Sequence, residues 1–145
     1  MGWLHKIYGG FWLLLLSCST QGIETNPYIP NVPINHQLNL RLPANNALNF
    51  AGGGRLINGI GLNGVMVFNL NGNTFLAWEA TCPNHAIRSC SSLELNGVLA
   101  ICSCEDYQYS LATGQLLNGE ATTKAPYSLL FYRTEKIGDF LLISN

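Results

Sequence analysis

The chain has 145 residues, seven Lys and Arg against eight Asp and Glu, a net charge of −1 at pH 7, and 48% hydrophobic residues. This suits one domain with a real hydrophobic core, and the near-neutral charge gives nucleic acid nothing to hold. Five cysteines fall into two arrangements: Cys18 stands alone after an apolar run, whereas Cys82, Cys90, Cys102 and Cys104 crowd around His85.

The first segment reads as a targeting signal. Lys6 supplies a short positive region, Ile7 to Ser17 carries no charge, and Phe11-Trp12-Leu13-Leu14-Leu15-Leu16 forms an apolar core. At roughly ten residues the run is too short to span a bilayer as a helix, which takes about 20. Leu15-Leu16-Ser17-Cys18 resembles the lipobox of bacterial lipoproteins, in which cleavage falls before a cysteine that is then diacylated. The resemblance implies a signal peptide over 1–17, Cys18 as the lipidated mature N-terminus, and attachment to a membrane, each buried CH2 adding about 0.8 kcal/mol. Ser19 matches the pattern that sends such proteins to the outer membrane of the cell envelope. Losing Lys6 leaves six basic residues (7 − 1) against eight acidic ones. An extracytoplasmic site would permit disulfides.

Residues 18–33, with Pro27, Pro30 and Pro33 and no apolar periodicity, are expected to form a tether. Residues 34–145 then form a single β domain. Leu38, Leu40 and Leu42 alternate with polar residues as in a half-buried strand. Val65 to Leu70, Asn71-Gly72 and Thr74 to Trp78 predict a hairpin, because Asn-Gly tolerates the positive φ of a tight turn. A second hairpin joins Leu93-Glu94-Leu95 to Val98 to Ile101 through Asn96-Gly97. A third joins Leu129 to Tyr132 and Phe140 to Ile143 around Gly138-Asp139. No helical stripe follows residue 20. The Asn and Gly residues of 44–73 read as turn chemistry, and Gly52-Gly53-Gly54 lacks the lysine and hydroxyl of a phosphate-binding loop. Short strands at this spacing predict an all-β antiparallel sandwich or barrel.

The chemistry concentrates between Thr81 and Leu129. Cys82-Pro83-Asn84-His85 and Cys102-Ser103-Cys104-Glu105 lie on two loops, with sixteen residues between His85 and Cys102. Such loops at hairpin ends can converge on a metal. The region resembles the Rieske iron-sulfur family, in which paired Cys/His loops hold a [2Fe-2S] cluster with two thiolates on one iron and two imidazoles on the other. Tyr109 and Thr113-Gly114-Gln115 match the aromatic and the turn that follow the second loop in that family. The resemblance implies a Rieske-like antiparallel β sandwich or barrel with a small cluster-binding subdomain. It further implies Cys82, His85, Cys102 and Glu105 as cofactor ligands, a Cys90–Cys104 disulfide, and electron transfer to a redox partner.

The chain departs from the family pattern at several points. Glu105 stands at the second histidine and Asp106 at the glycine that follows it. The first loop is Cys-x-x-His, so either Asn84 occupies the ligand position or the loop bulges to present His85. Cys90 lies five residues beyond His85, and Gly119-Glu120 replaces a glycine-proline turn. Two imidazoles give a Rieske cluster its high potential, so a carboxylate at 105 lowers the potential or loses the cluster. Three readings follow: a one-electron carrier with an atypical ligand set, a cluster-less, disulfide-stapled binding or structural lipoprotein, and a mononuclear zinc or iron site. Catalysis is not expected: adjacent Glu105 and Asp106 in a strand would point to opposite faces. His36 is expected on a surface face, and Trp78, Tyr107 and Tyr109 either shield a cluster or pack the core.

Overall fold

The computed structural model describes residues 25–119 and 126–145. The signal peptide expected over 1–17, with Cys18 and Ser19, lies outside the described residues. No helix among the described residues is long and apolar enough to cross a membrane.

The domain is built from nine antiparallel strands among the described residues. The larger sheet runs in the order β1 (Asn35–Asn39), β9 (Phe140–Ser144), β8 (Phe131–Ile137), β4 (Phe75–Glu79), β3 (Val65–Asn69) and β2 (Gly54–Ile57). The smaller contains β5 (Leu93–Asn96), β6 (Leu99–Cys102) and β7 (Tyr107–Ser110). This is the expected all-β antiparallel architecture, a curled sheet beside a small three-stranded sheet whose end carries both cysteine loops.

Alternation along β3 explains the layering. Val65 and Val67 point into one core with Leu38, Phe75, Tyr132, Leu141 and Ile143. Met66 and Phe68 point into a second with Trp78, Cys82, Leu93, Cys102 and Tyr109, between the large sheet and the small one. Every residue of β3 is buried, so this strand has no solvent face. Its neighbour β4 sends Trp78 across: the indole Nε1 donates to the Leu111 carbonyl at 2.9 Å, and the ring stacks edge-on to Phe131 with centroids 5.3 Å apart.

All three expected hairpins form, with shifted details. The β3–β4 loop closes between Leu70 and Thr74, with a positive φ at Gly72 alone of the Asn71-Gly72 pair. Asn96 pairs with Leu99, so the second turn is Gly97-Val98, glycine first at φ 59°. Ile137 pairs with Phe140 around Gly138-Asp139, also glycine first at φ 59°. That pattern is the type II′ turn, in which only the first central residue needs positive φ. The partner of 140–143 is therefore Thr134–Ile137 rather than 129–132. Tyr132 and Phe131 pair instead with Ala77 and Trp78, so β8 passes from one half of the sheet to the other and curls it.

Two other expectations need correction. The strand expected through Leu42 ends at Asn39, and a 3-10 helix, Pro43–Asn49, follows and seals the core with Leu48. The Asn/Gly-rich stretch also contains β2, which Gly52-Gly53-Gly54 leads into. Residues 25–33 of the segment read as a tether have no regular structure but lie against the domain. Ile29 is buried, Asn26 donates to the Pro83 carbonyl at 2.8 Å, and Asn145 donates to Val32 at 2.9 Å.

Glu79, at the end of β4, is fully buried and accepts four hydrogen bonds: from the Leu62 and Asn63 N–H groups, each at 3.0 Å, from Thr81 at 2.8 Å and from Tyr132 at 2.7 Å. Burial, and then this bond, hold the Tyr132 phenol well above its ordinary value. The carboxylate thus fixes loop 61–63 and the chain entering Cys82.

A Cβ on Gly114 would meet the Trp78 ring at 2.7 Å, and Gly114 has φ 72°. Gly114→Ala is expected to cost at least about 2 kcal/mol, from left-handed strain plus overpacking, read as a lower urea midpoint. A midpoint equal to wild type would show that Trp78 does not lock the two sheets.

Candidate metal centre

The two cysteine loops leave the same end of the small sheet. After β4, the Cys82 N–H donates to the Ser91 carbonyl and the Leu93 N–H to the Ala80 carbonyl, each at 2.8 Å, so residues 83–90 form a loop over a paired base. The second loop, Ser103 to Asp106, is a tight turn, since Cys102 ending β6 pairs with Tyr107 opening β7. Asp106 takes φ 56°, the left-handed region in which glycine is unstrained. Cys90 and Cys104 are joined by a disulfide, with Cα atoms 5.3 Å apart, tying one loop to the other.

Inside this frame the ligand-bearing atoms of Cys82, His85, Cys102 and Glu105 all lie within 4.8 Å of one another. Cys82 and Cys102 are free thiols with no exposed surface. The side chains of His85 and Glu105 are 10% and 27% exposed. His85 Nε2 is 3.0 Å from Glu105 Oε2 and 3.3 Å from Cys102 Sγ, and Cys102 Sγ is 3.8 Å from the same Oε2. The other ring nitrogen, Nδ1, lies 2.8 Å from the Ala86 carbonyl. A carbonyl only accepts, so Nδ1 carries a proton and donates it there.

Neighbours that the sequence did not single out hold these groups in place. Arg88 pairs through Nη2 with Glu105 Oε1, leaving Oε2 to face the group. The Arg88 N–H and carbonyl bond to Ser91 at 2.8 and 3.0 Å, which fixes the turn that delivers the guanidinium. Asn84 is a clamp: its Nδ2 donates to the Tyr109 hydroxyl at 2.9 Å and the Tyr127 carbonyl at 2.8 Å, and its Oδ1 accepts from the Tyr127 N–H at 2.8 Å. With Asn84 engaged there, His85 is the residue that reaches the group. The Tyr109 hydroxyl stands 3.6 Å from Cys82 Sγ, and Tyr109 is fully buried in the second core, where Tyr107 packs against it. Burial raises the Tyr109 phenol well above its ordinary range; the Asn84 bond opposes this and the Cys82 contact adds to it. Position 84 could have been read as a loop-bracing Asn, but nothing in the spacing pairs Arg88 with Glu105. His36 sits on β1 opposite Ile143 and takes no part.

The implied [2Fe-2S] cluster can be tested against these positions. It would place Cys82 and Cys102 on one iron and His85 and Glu105 on the other, with two sulfides between the irons. Cys102 Sγ and His85 Nε2 would then be held apart by the cluster, whereas they are in direct contact at 3.3 Å. The donors as arranged do not fit the two-iron group. The second disulfide of the cluster-less reading is also not formed, since Cys82 and Cys102 remain free.

No protein-family model matches the chain. No curated protein matches it either. Among solved structures, the chain is similar to one from the complex of reduced oxygenase and oxidized ferredoxin in carbazole 1,9a-dioxygenase, at 24% identity and a TM-score of 0.42, over 65% of this chain and 82% of that one.

Burial, followed by the hydrogen bond with Cys82, pushes the Cys102 thiol up to about 12 from 9.0. The folded metal-free protein therefore binds this proton more tightly than the unfolded chain does. The resulting stability is complete below about pH 9 and is lost as pH rises through about 12. Peptide mapping after iodoacetamide at pH 8 is expected to find Cys82 and Cys102 unmodified in the folded metal-free protein and alkylated once it is denatured. Rapid alkylation without denaturation would contradict the closed site. Replacing Asp106 tests the loop: Asp106→Val is expected to cost about 1–2 kcal/mol in thermal unfolding through its left-handed φ, and Asp106→Gly is not.

Proposed function

We propose that this chain is a lipid-anchored, Rieske-like metalloprotein of a bacterial cell envelope that carries single electrons and performs no catalysis. One observation carries the reading. Two buried thiols, an imidazole and a carboxylate from separate loops meet within 4.8 Å, and the two adjoining cysteines are consumed in a disulfide. Iron is the metal that gives such a set a redox role, because zinc has no accessible second oxidation state. Cys82, His85, Cys102 and Glu105 would hold it, and Glu105 would lower its potential by adding negative charge. Four protein donors leave no open coordination position for a substrate, which favours a carrier over a catalyst.

The membrane placement draws on Leu15-Leu16-Ser17-Cys18 and Ser19. In this reading lipidated Cys18 holds the domain at the outer membrane, and the electron partner is another envelope protein. Nucleic acid has no part in it. A second reading, a metal-free binding or structural lipoprotein, is favoured by one feature: His85, Glu105, Arg88 and Cys102 already satisfy one another by hydrogen bonds and ion pairs.

The test is iron analysis of the full chain, purified anaerobically in detergent, followed by absorbance and electron paramagnetic resonance through a reduction and reoxidation cycle. Bound iron that cycles reversibly by one electron is expected, with Glu105→His raising the midpoint potential. A protein without iron that takes none up on reconstitution would leave the metal-free reading.

A further inference from the structure

We infer that the Cys82/His85/Cys102/Glu105 group is built for one divalent transition-metal ion in a closed tetrahedral site. The inference rests on the metal-centre reading above and fixes how many ions that centre takes.

The argument begins at His85. Because Nδ1 is engaged by the Ala86 carbonyl at 2.8 Å, Nε2 is the ring nitrogen turned toward the group. That nitrogen faces Glu105 Oε2 at 3.0 Å and Cys102 Sγ at 3.3 Å. A carboxylate oxygen, an imidazole nitrogen and a sulfur held this closely need a shared cation between them, a role the Cys102 thiol hydrogen fills when it points toward Glu105 Oε2 at 3.8 Å. Only a proton or a metal ion meets that need here. The Arg88 guanidinium is committed to the far carboxylate oxygen, Oε1.

The spacing suits a metal ion. Donors about 2.0–2.3 Å from a single tetrahedral ion stand about 3.3–3.8 Å apart. The observed separations of 3.0, 3.3 and 3.8 Å bracket that range, and Cys82 Sγ lies within 4.8 Å of the other three donor atoms. The supporting contacts are those of a prepared site. A backbone carbonyl holds the histidine tautomer, an arginine orients the carboxylate, and Tyr109, itself clamped by Asn84, touches the Cys82 sulfur. Charge closes as well. Two thiolates and a carboxylate exceed a divalent ion by one negative charge, and Arg88 supplies the compensating positive one. Binding transfers no electrons: the ion enters, the Cys82 and Cys102 thiols lose their protons to solvent, and two metal–sulfur bonds form.

The experiment uses the full chain in detergent, anaerobic and without thiol reductant so that Cys90–Cys104 stays intact. Cobalt(II) is titrated in, and separately iron(II) is offered together with sulfide. The expected result is one cobalt per chain, with thiolate-to-cobalt charge-transfer bands and the intense visible bands of tetrahedral cobalt, and one iron per chain without sulfide. His85→Gln should abolish the tetrahedral spectrum. Arg88→Ala, a change at an exposed side chain that spares all four donors, should weaken cobalt binding about tenfold; equal affinity would remove the carboxylate-orienting argument. Two irons and two sulfides per chain would overturn the single-ion inference and leave the electron-carrier reading standing. No uptake of either metal by protein shown to be folded by circular dichroism would overturn both.

Discussion

The architecture depends on the burial of β3 on both faces. A half-exposed strand needs one covering layer, but Val65 to Asn69 needs two. The curled sheet closes over Val65 and Val67, and among the described residues the small sheet and its flanking loops cover Met66 and Phe68. Trp78 makes the second layer specific, since its ring fills the space beside Gly114 and its N–H needs the Leu111 carbonyl. Once the small sheet is seated, the end of β6 lies beside the continuation of β4, and Cys102 comes to Cys82. The centre is thus a consequence of how the second core is covered, with both thiols counted among that core's residues.

Glu79 extends the same logic toward the surface. A buried carboxylate is tolerable only when its lone pairs are met, and here two backbone N–H groups and two hydroxyls meet them. Three residues later the chain reaches Cys82, so the first candidate donor hangs from an anchored point. The more exposed members of the group, His85 and Glu105, depend on local turns and on Arg88. The group is therefore graded: its sulfur side belongs to the core, and its nitrogen and oxygen side to loops.

Much of this was legible in the chain. Alternation, two Asn-Gly pairs and one Gly-Asp pair located three hairpins, because period-two burial and positive-φ turns leave compositional marks. What slipped was register: a type II′ turn needs only its first central residue in positive φ, so glycine moved to the front and asparagine joined the strand. Strand β2 was hidden because Gly54 to Ile57 is short and sits among turn residues, and the second half of β8 because Arg133 to Lys136 is charged on a thinly covered part of the sheet. The donor types were readable in the motif, and so was the departure at Glu105. The partners that orient the donors were not: Arg88 meets Glu105 across seventeen positions, through a fold that no local pattern encodes.

The Cys90–Cys104 crosslink changes when the cost of ordering is met. Closing a loop of this length, 14 residues apart in sequence, removes about 3 kcal/mol of chain entropy from the unfolded state on a polymer model. In a small zinc finger the metal itself must supply such ordering, so the empty protein is unfolded. Here the Cys90–Cys104 bond gathers both loops covalently, so the ordering that brings the four donor atoms together does not have to come from an ion. An ion binding there, as proposed, would meet loops already gathered, as with a rigid chelator, and closure of the crosslink would be the step that prepares the site.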